Sequence, residues 1–116
     1  DLFELGPKRI KAFAQKHNAY LTAGMDATVL KEGPIEVIVE RIRNYIDGMA
    51  RDGRCAVYLN QISADTPSEH IHAAVSACHA YGRFPIPESL DEVKFALPEP
   101  EHFTEFLRRR DESLLF

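Results

Sequence analysis

No run of eighteen apolar residues occurs in this 116-residue chain, so no segment of it is suited to span a bilayer as a helix. A signal-like apolar stretch is missing too. The chain opens abruptly on Asp1-Leu-Phe-Glu-Leu-Gly-Pro7 without an initiator methionine, so a cytoplasmic protein begun at a cloning or proteolysis boundary is the expectation. Basic excess is absent: the formal net charge of −4 gives no electrostatic reason to expect nucleic acid or an anionic membrane as partner. There are only two cysteines, Cys55 and Cys78, which cannot build a disulfide framework and are expected as buried thiols. A His-x-x-x-His pair is also lacking. His70, His72 and His79 have the wrong spacing for a helical metal site, so they are expected at the surface and no metal or cofactor is expected.

What remains is ordinary globular chemistry, 45% hydrophobic and 28% charged, in one domain's length. Pro7 to Lys16 has Ile10, Phe13 and Ala14 at helical spacing, with Lys8, Arg9, Lys11 and Gln15 between them. Asn18 can close that helix in the left-handed conformation. Tyr20-Leu-Thr-Ala-Gly-Met25 then reads as a strand buried on both faces, with Gly24 allowing close approach near its end. Asp26 follows directly. Gly33-Pro34 opens a second helix, Gly33 as N-cap and Pro34 at the first position. Its apolar stripe is Ile35, Ile38, Val39, Ile42, Ile46 and Met49, and Gly53 closes it.

A second strand, Cys55-Ala-Val-Tyr-Leu59, runs out through Asn60 and Gln61. Thr66 and Glu69 form a capping-box pattern around Pro67, ahead of a helix with Ile71, Ala74, Val75 and Cys78 on one stripe. Two apolar strands joined through a helix make a parallel βαβ unit, and the strand C-terminal ends form its ligand side. Asp26, Asn60 and Gln61 lie there as candidate ligand-binding residues. One carboxylate and one amide supply no base–nucleophile pair, so no catalytic residue is assigned. Asp26 has a structural alternative as a loop aspartate bonded to nearby backbone N–H groups.

The run Leu21-Thr-Ala-Gly-Met-Asp26, followed by Leu30, Gly33-Pro34 and Ile-x-x-x-Ile-x-x-x-Ile, resembles the seventh β/α unit of the uroporphyrinogen decarboxylase superfamily. Tyr58-Leu-Asn-Gln-Ile-Ser-Ala-Asp-Thr-Pro67, then Glu69-His-Ile71, Ala74, Ala77 and Tyr81-Gly82, is similar to that family's last strand and helix. The resemblance implies an α/β fold: the C-terminal βαβα portion of a TIM (β/α)8 barrel, with covering helices and a helical C-terminal tail. Residues 1–84 would be the barrel segment and residues 85–116 the tail. It implies tetrapyrrole decarboxylation or corrinoid-dependent methyl transfer for the whole, with a tetrapyrrole or corrinoid-related small molecule as ligand. Two departures matter. Asn60 stands where the decarboxylases usually carry His and the zinc methyltransferases Cys, and the family's catalytic aspartate and arginine-bearing loop belong to earlier strands. The chain is therefore expected to be inactive alone. The barrel segment, residues 1–84, would make up about a third of a barrel of ~250 residues. A stand-alone oligomeric α/β binding or scaffold module is the alternative, and a small independent enzyme using Asp26 and Asn60 is the weakest reading.

Two strands leave open edges, so self-association is expected, aided by Phe103, Phe106 and residues 114–116. The helices are expected on both faces of the sheet: the Ile35–Met49 stripe covers one, and Ile10–Phe13 with Ile71–Cys78 cover part of the other. In the tail, Ser89-x-x-Glu92 caps a short helix, a last helix follows Pro98, and Arg108-Arg-Arg110 reads as a solvated helix end.

Overall fold

Strand β1, Leu21–Met25, alternates strictly: Ala23 and Met25 are buried, Leu21 is half-buried, and Thr22 is exposed. Strand β2, Cys55–Leu59, repeats the pattern, with Cys55, Val57 and Leu59 half-buried and Ala56 and Tyr58 exposed. The two pair in parallel, Leu21 opposite Cys55 and Met25 opposite Leu59, as a two-stranded sheet in a mixed α/β chain. A computed structural model provides this architecture and describes residues 5–99 and 102–114.

Helix α1 spans Pro7–Lys16, as the apolar spacing predicts, and Asn18 closes it at φ 52°. Directly after β1 comes an element the periodicity did not reveal, the six-residue helix α2, Ala27–Glu32. Gly33 ends it at φ 67°, where a side chain would be strained, and donates its N–H to Val29. Helix α3, Ile35–Tyr45, therefore starts one residue later than expected, with Pro34 as its N-cap. It widens into a π-helical turn over Ile46–Ala50, and Gly53 closes the segment with its N–H on Ala50. Helix α4 spans Ser68–Tyr81, a 3-10 turn Leu90–Glu92, and helix α5 Phe103–Leu114.

Ile38, Ile42, Ile46 and Met49 form the buried stripe of α3, joined by Tyr45, and they meet Ala74, Ala77 and Tyr81 of α4. Each fully buried Ile contributes about 1.5–3 kcal/mol of apolar transfer. The buried face of α4 is Ala73, Ala74, Ala77 and Tyr81; Val75, expected inside, is 42% exposed. Small residues there let the α3 and α4 backbones approach closely, and the stripe rotates to bring them inward. Lys11, placed on the outer face of α1 by the pattern, is only 8% exposed and forms an ion pair with Asp52 at 2.7 Å. That pair ties α1 to the turn before β2. It also holds the Asp52 carboxyl below its ordinary value, the hydrogen bond from Lys11 being the main cause and that from the Arg54 N–H the next.

The helices pack onto one face of the sheet only. Ile10, Leu21, Cys55, Val57 and Leu59 all join the core on that side, and no described element covers the other. The expectation that Phe13 and α4 would seal the second face is corrected: Phe13 is 68% exposed, and α4 packs on α3. The single crossover from β1 to β2 places α3 on one side of the sheet, and α4 after β2 packs on α3 on that same side.

The capping box at α4 is also corrected. Pro67, not Thr66, occupies the N-cap, and no side chain caps the helix. The Thr66 hydroxyl lies 3.0 Å from that of Ser63, which donates to Asp65 at 2.7 Å, so the loop satisfies these groups internally. In the tail, Ser89 does cap its turn, accepting from the Asp91 N–H at 3.3 Å, and Leu90 enters the core. Arg108 bonds Glu105 and Glu112 on exposed α5, in keeping with a solvated helix. Phe106 is 39% exposed, and residues 115 and 116 lie outside the described residues. Among the described residues no helix is long and apolar enough to cross a membrane.

Candidate functional site

Because Met25 pairs with Leu59, the next residues on each strand, Asp26 and Asn60, emerge side by side from the sheet. They border an open cleft of about 570 Å³ whose walls include Thr22, Gly24, Tyr45 and Tyr58. Thr22, Gly24, Ala56 and Tyr58 belong to the uncovered face, so the cleft runs from the bare sheet to its C-terminal edge. The Tyr58 ring lies across Gly24: a Cβ at position 24 would come 2.9 Å from its Cζ and Oη. Glycine is required there for that approach.

Of the three residues expected at this edge, the structure brings Asp26 and Asn60 together. Gln61 does not line the cleft; it is exposed and turns the chain at φ 47°. Asp26 serves first as the N-cap of α2. Its Oδ1 accepts from the Thr28 N–H at 2.7 Å and the Val29 N–H at 3.3 Å, which is the structural alternative foreseen for it. Beneath it sits Tyr45, 1% exposed. Burial raises the Tyr45 hydroxyl above its ordinary pKa and the Asp26 charge adds to this, while Arg41, one turn earlier on α3, opposes it by charge and hydrogen bond. Tyr45 is thus held neutral, a hydroxyl rather than a phenolate, at the base of the cleft.

Asn60 is exposed. Its amide can donate and accept. Tyr58, 47% exposed, offers a ring face and a hydroxyl, and Thr22 offers a second hydroxyl. This set can bind a ligand through hydrogen bonds and ring contact. It has no paired acid and base, and no nucleophile positioned beside a base.

Of the histidines expected at the surface, His79 is exposed, whereas His70 and His72 are half-buried and tie elements together. His70 Nδ1 is 2.8 Å from the Leu30 carbonyl oxygen, linking α4 to α2, and His72 Nε2 is 2.9 Å from the Pro98 carbonyl oxygen. A carbonyl only accepts, so in each case the ring nitrogen donates. Among the described residues no group of three His, Cys, Asp or Glu side chains is placed to hold a metal ion. The thiols are poor nucleophiles: burial raises Cys55 and pushes Cys78 up to about 11.

Tyr58, Tyr45 and Thr22 were not singled out from the sequence. The signal for two of them was present, since residues at i and i+2 on a strand share a face and Thr22, Gly24, Tyr58 and Asn60 follow that rule. Tyr45 had no such signal, because it interrupts the apolar stripe by one position. Comparison with known proteins gives no match to this chain among family models, curated proteins or solved structures.

Proposed function

We propose that this chain supplies the last two β/α units of a (β/α)8 barrel similar to the uroporphyrinogen decarboxylase superfamily. Its sheet-edge cleft then forms part of the binding site for a tetrapyrrole or corrinoid-related molecule, without decarboxylase or methyl-transfer activity of its own. The observation that carries this reading is the one-sided sheet. Parallel strands with every packed helix on one face, a bare second face, and polar groups at the strand C-terminal ends are the pattern of a barrel segment. In a barrel the bare face looks inward and ligands sit at that edge.

The chemistry is compatible with a large flat ligand. The Tyr58 ring offers a stacking surface, Asn60 and Thr22 offer hydrogen bonds, and the Asp26 carboxylate accepts from N–H donors. Asn60 is a poor zinc ligand, which speaks for the tetrapyrrole side of the resemblance over zinc-dependent methyl transfer. Absorbance titration of the purified chain with uroporphyrin and with hydroxocobalamin tests the reading. A saturable band shift that weakens in Asn60→Ala and Tyr58→Ala is expected, with no turnover of uroporphyrinogen above background. No shift with either compound, or turnover by the isolated chain, would overturn it.

The alternative of a stand-alone oligomeric binding or scaffold module is favoured by the same bare face together with the two unpaired strand edges. Such surface is commonly hidden between copies of a chain.

A further inference from the structure

A second cleft, of about 480 Å³, lies between the last turns of α4 and the extended segment 93–98. It is remote from the sheet edge. Helix α4 begins beside α2, to which His70 ties it, and ends where Cys78 and Gly82 meet Gly53 and Cys55 at the start of β2. The cleft therefore sits toward the opposite end of the sheet from Asp26 and Asn60.

Its walls carry three basic side chains, His79, Arg83 and Lys94, together with Ser76 and the apolar Val93 and Phe95. Among the described residues no acidic side chain lines this cleft. Elsewhere basic groups find acids: Lys11 with Asp52, Lys31 with Asp65, Arg43 with Asp91, Arg51 with Asp47. Among the described residues His79, Arg83 and Lys94 make no ion pair or hydrogen bond. The C-terminal turn of a helix favours cations, which accounts for His79 and Arg83 singly. It does not account for Lys94, which enters from a separate extended segment and would be repelled by the other two.

The walls are fixed rather than loose. Segment 93–98 is tied to α4 at one end by His72 on the Pro98 carbonyl, 2.9 Å, and at the other by the Phe95 ring, 5.5 Å from that of Tyr81. The connector leading into it is held by Arg51, which donates to the carbonyls of Pro87 at 2.7 Å and Glu88 at 2.9 Å. The Arg43–Asp91 ion pair adds a further tie. A preformed cleft of this size suits a small molecule.

We infer that the cleft between α4 and segment 93–98 is a binding site for a small organic anion, a phosphate or carboxylate carried on an apolar body. His79, Arg83 and Lys94 receive the anionic group, the Ser76 hydroxyl donates to it, and Val93 and Phe95 cover the apolar part. This site stands independently of the proposed sheet-edge function.

The test is an amide NMR titration of the full chain with phenyl phosphate, with inorganic phosphate and phenol as controls. Phenyl phosphate is expected to shift the amides of residues 76–83 and 93–98 saturably, leaving those of Asp26 and Asn60 in place. Each control alone should bind at least about tenfold more weakly. Arg83→Gln and Lys94→Gln should each weaken binding about fivefold, and raised salt should weaken it further. Both side chains are exposed, so the thermal midpoint serves as a check that the variants fold. Shifts that do not saturate, equal binding of phenol and phenyl phosphate, or unchanged affinity in both folded variants would overturn the inference.

Discussion

Replacing Asp26 with Ala separates its structural role from any role toward a ligand. In the folded chain Oδ1 accepts from two first-turn N–H groups of α2, and no other acid lies in that turn. Alanine leaves both donors without their acceptor. The Thr28 N–H is exposed and can turn to water, whereas the Val29 N–H is partly buried and cannot do so freely. Loss of a side-chain N-cap costs about 0.5–2 kcal/mol, and with one of the two donors resolvated about 1 kcal/mol is expected here. For a domain of this size that lowers the melting temperature by roughly 4 °C. Asp26→Asn keeps an acceptor oxygen and loses only the charge at the helix terminus, so it should cost no more than about 0.5 kcal/mol. Urea unfolding followed by circular dichroism reads both variants. A shift in midpoint at constant slope reports stability alone. Equal loss in the Asn and Ala variants would refute the hydrogen-bonded cap, and an Ala variant as stable as the parent would refute any capping role.

Four further outcomes follow from the structure. Ile42→Ala, at a fully buried position on α3, should destabilise by about 2–5 kcal/mol in the same unfolding assay. Thr66→Ala should change stability by less than about 0.5 kcal/mol, because Thr66 bonds Ser63 in a loop and does not cap α4. Gly24→Ala should displace the Tyr58 ring, read as a change in the near-ultraviolet tyrosine signal with little change in midpoint, since the ring tip can move. In acid, Asp65 is held at about 2 by its hydrogen bond from Lys31, then by that from Ser63; Asp91 is lowered chiefly by Arg43 and Asp52 by Lys11. Folded values below the unfolded 3.8 mean that this stabilisation is complete above about pH 4 and is lost as the pH falls toward 2. The unfolding midpoint should fall across that window, and a midpoint constant down to pH 2 would contradict the pairings.

The βαβ organisation was legible because its signals are local and strong. Apolar runs at residues 21–25 and 55–59 and a stripe at spacings of three and four leave little choice of element, and Asn18 and Gly53 carry their own conformational signatures. Helix α2 was not legible: six residues are too few to show a period, and the Asp26 cap that starts it reads equally well as a loop or a site. The Thr66 capping box failed for a related reason. Ser63, Asp65 and Thr66 satisfied one another, and a pattern of residue types does not reveal which partner a hydroxyl will choose. The ties of Lys11, His70 and His72 were not legible because long or ring side chains reach partners far along the chain, Asp52, Leu30 and Pro98, that no local spacing encodes. The side of the sheet that each helix covers is likewise a tertiary fact. The first apolar strand reads as buried on both faces, and only the packed structure shows that exposure alternates along β1 and β2 and that one face is bare. The pairing of Asp26 with Asn60 at one edge was legible, since it needs only the strand ends and their parallel order.

The bare face bearing Thr22, Ala56 and Tyr58 is the centre of the account: on the proposed reading it is a contact surface, for the rest of a barrel or for a second copy. Sedimentation of the purified chain across a dilution series from high to low micromolar measures this directly, beside the charged variant Ala56→Arg. The account predicts a mass above the 13.1 kDa of one chain that falls on dilution, and association lost in the variant while its circular dichroism is unchanged. A monodisperse 13.1 kDa species for the parent chain at every concentration would contradict it.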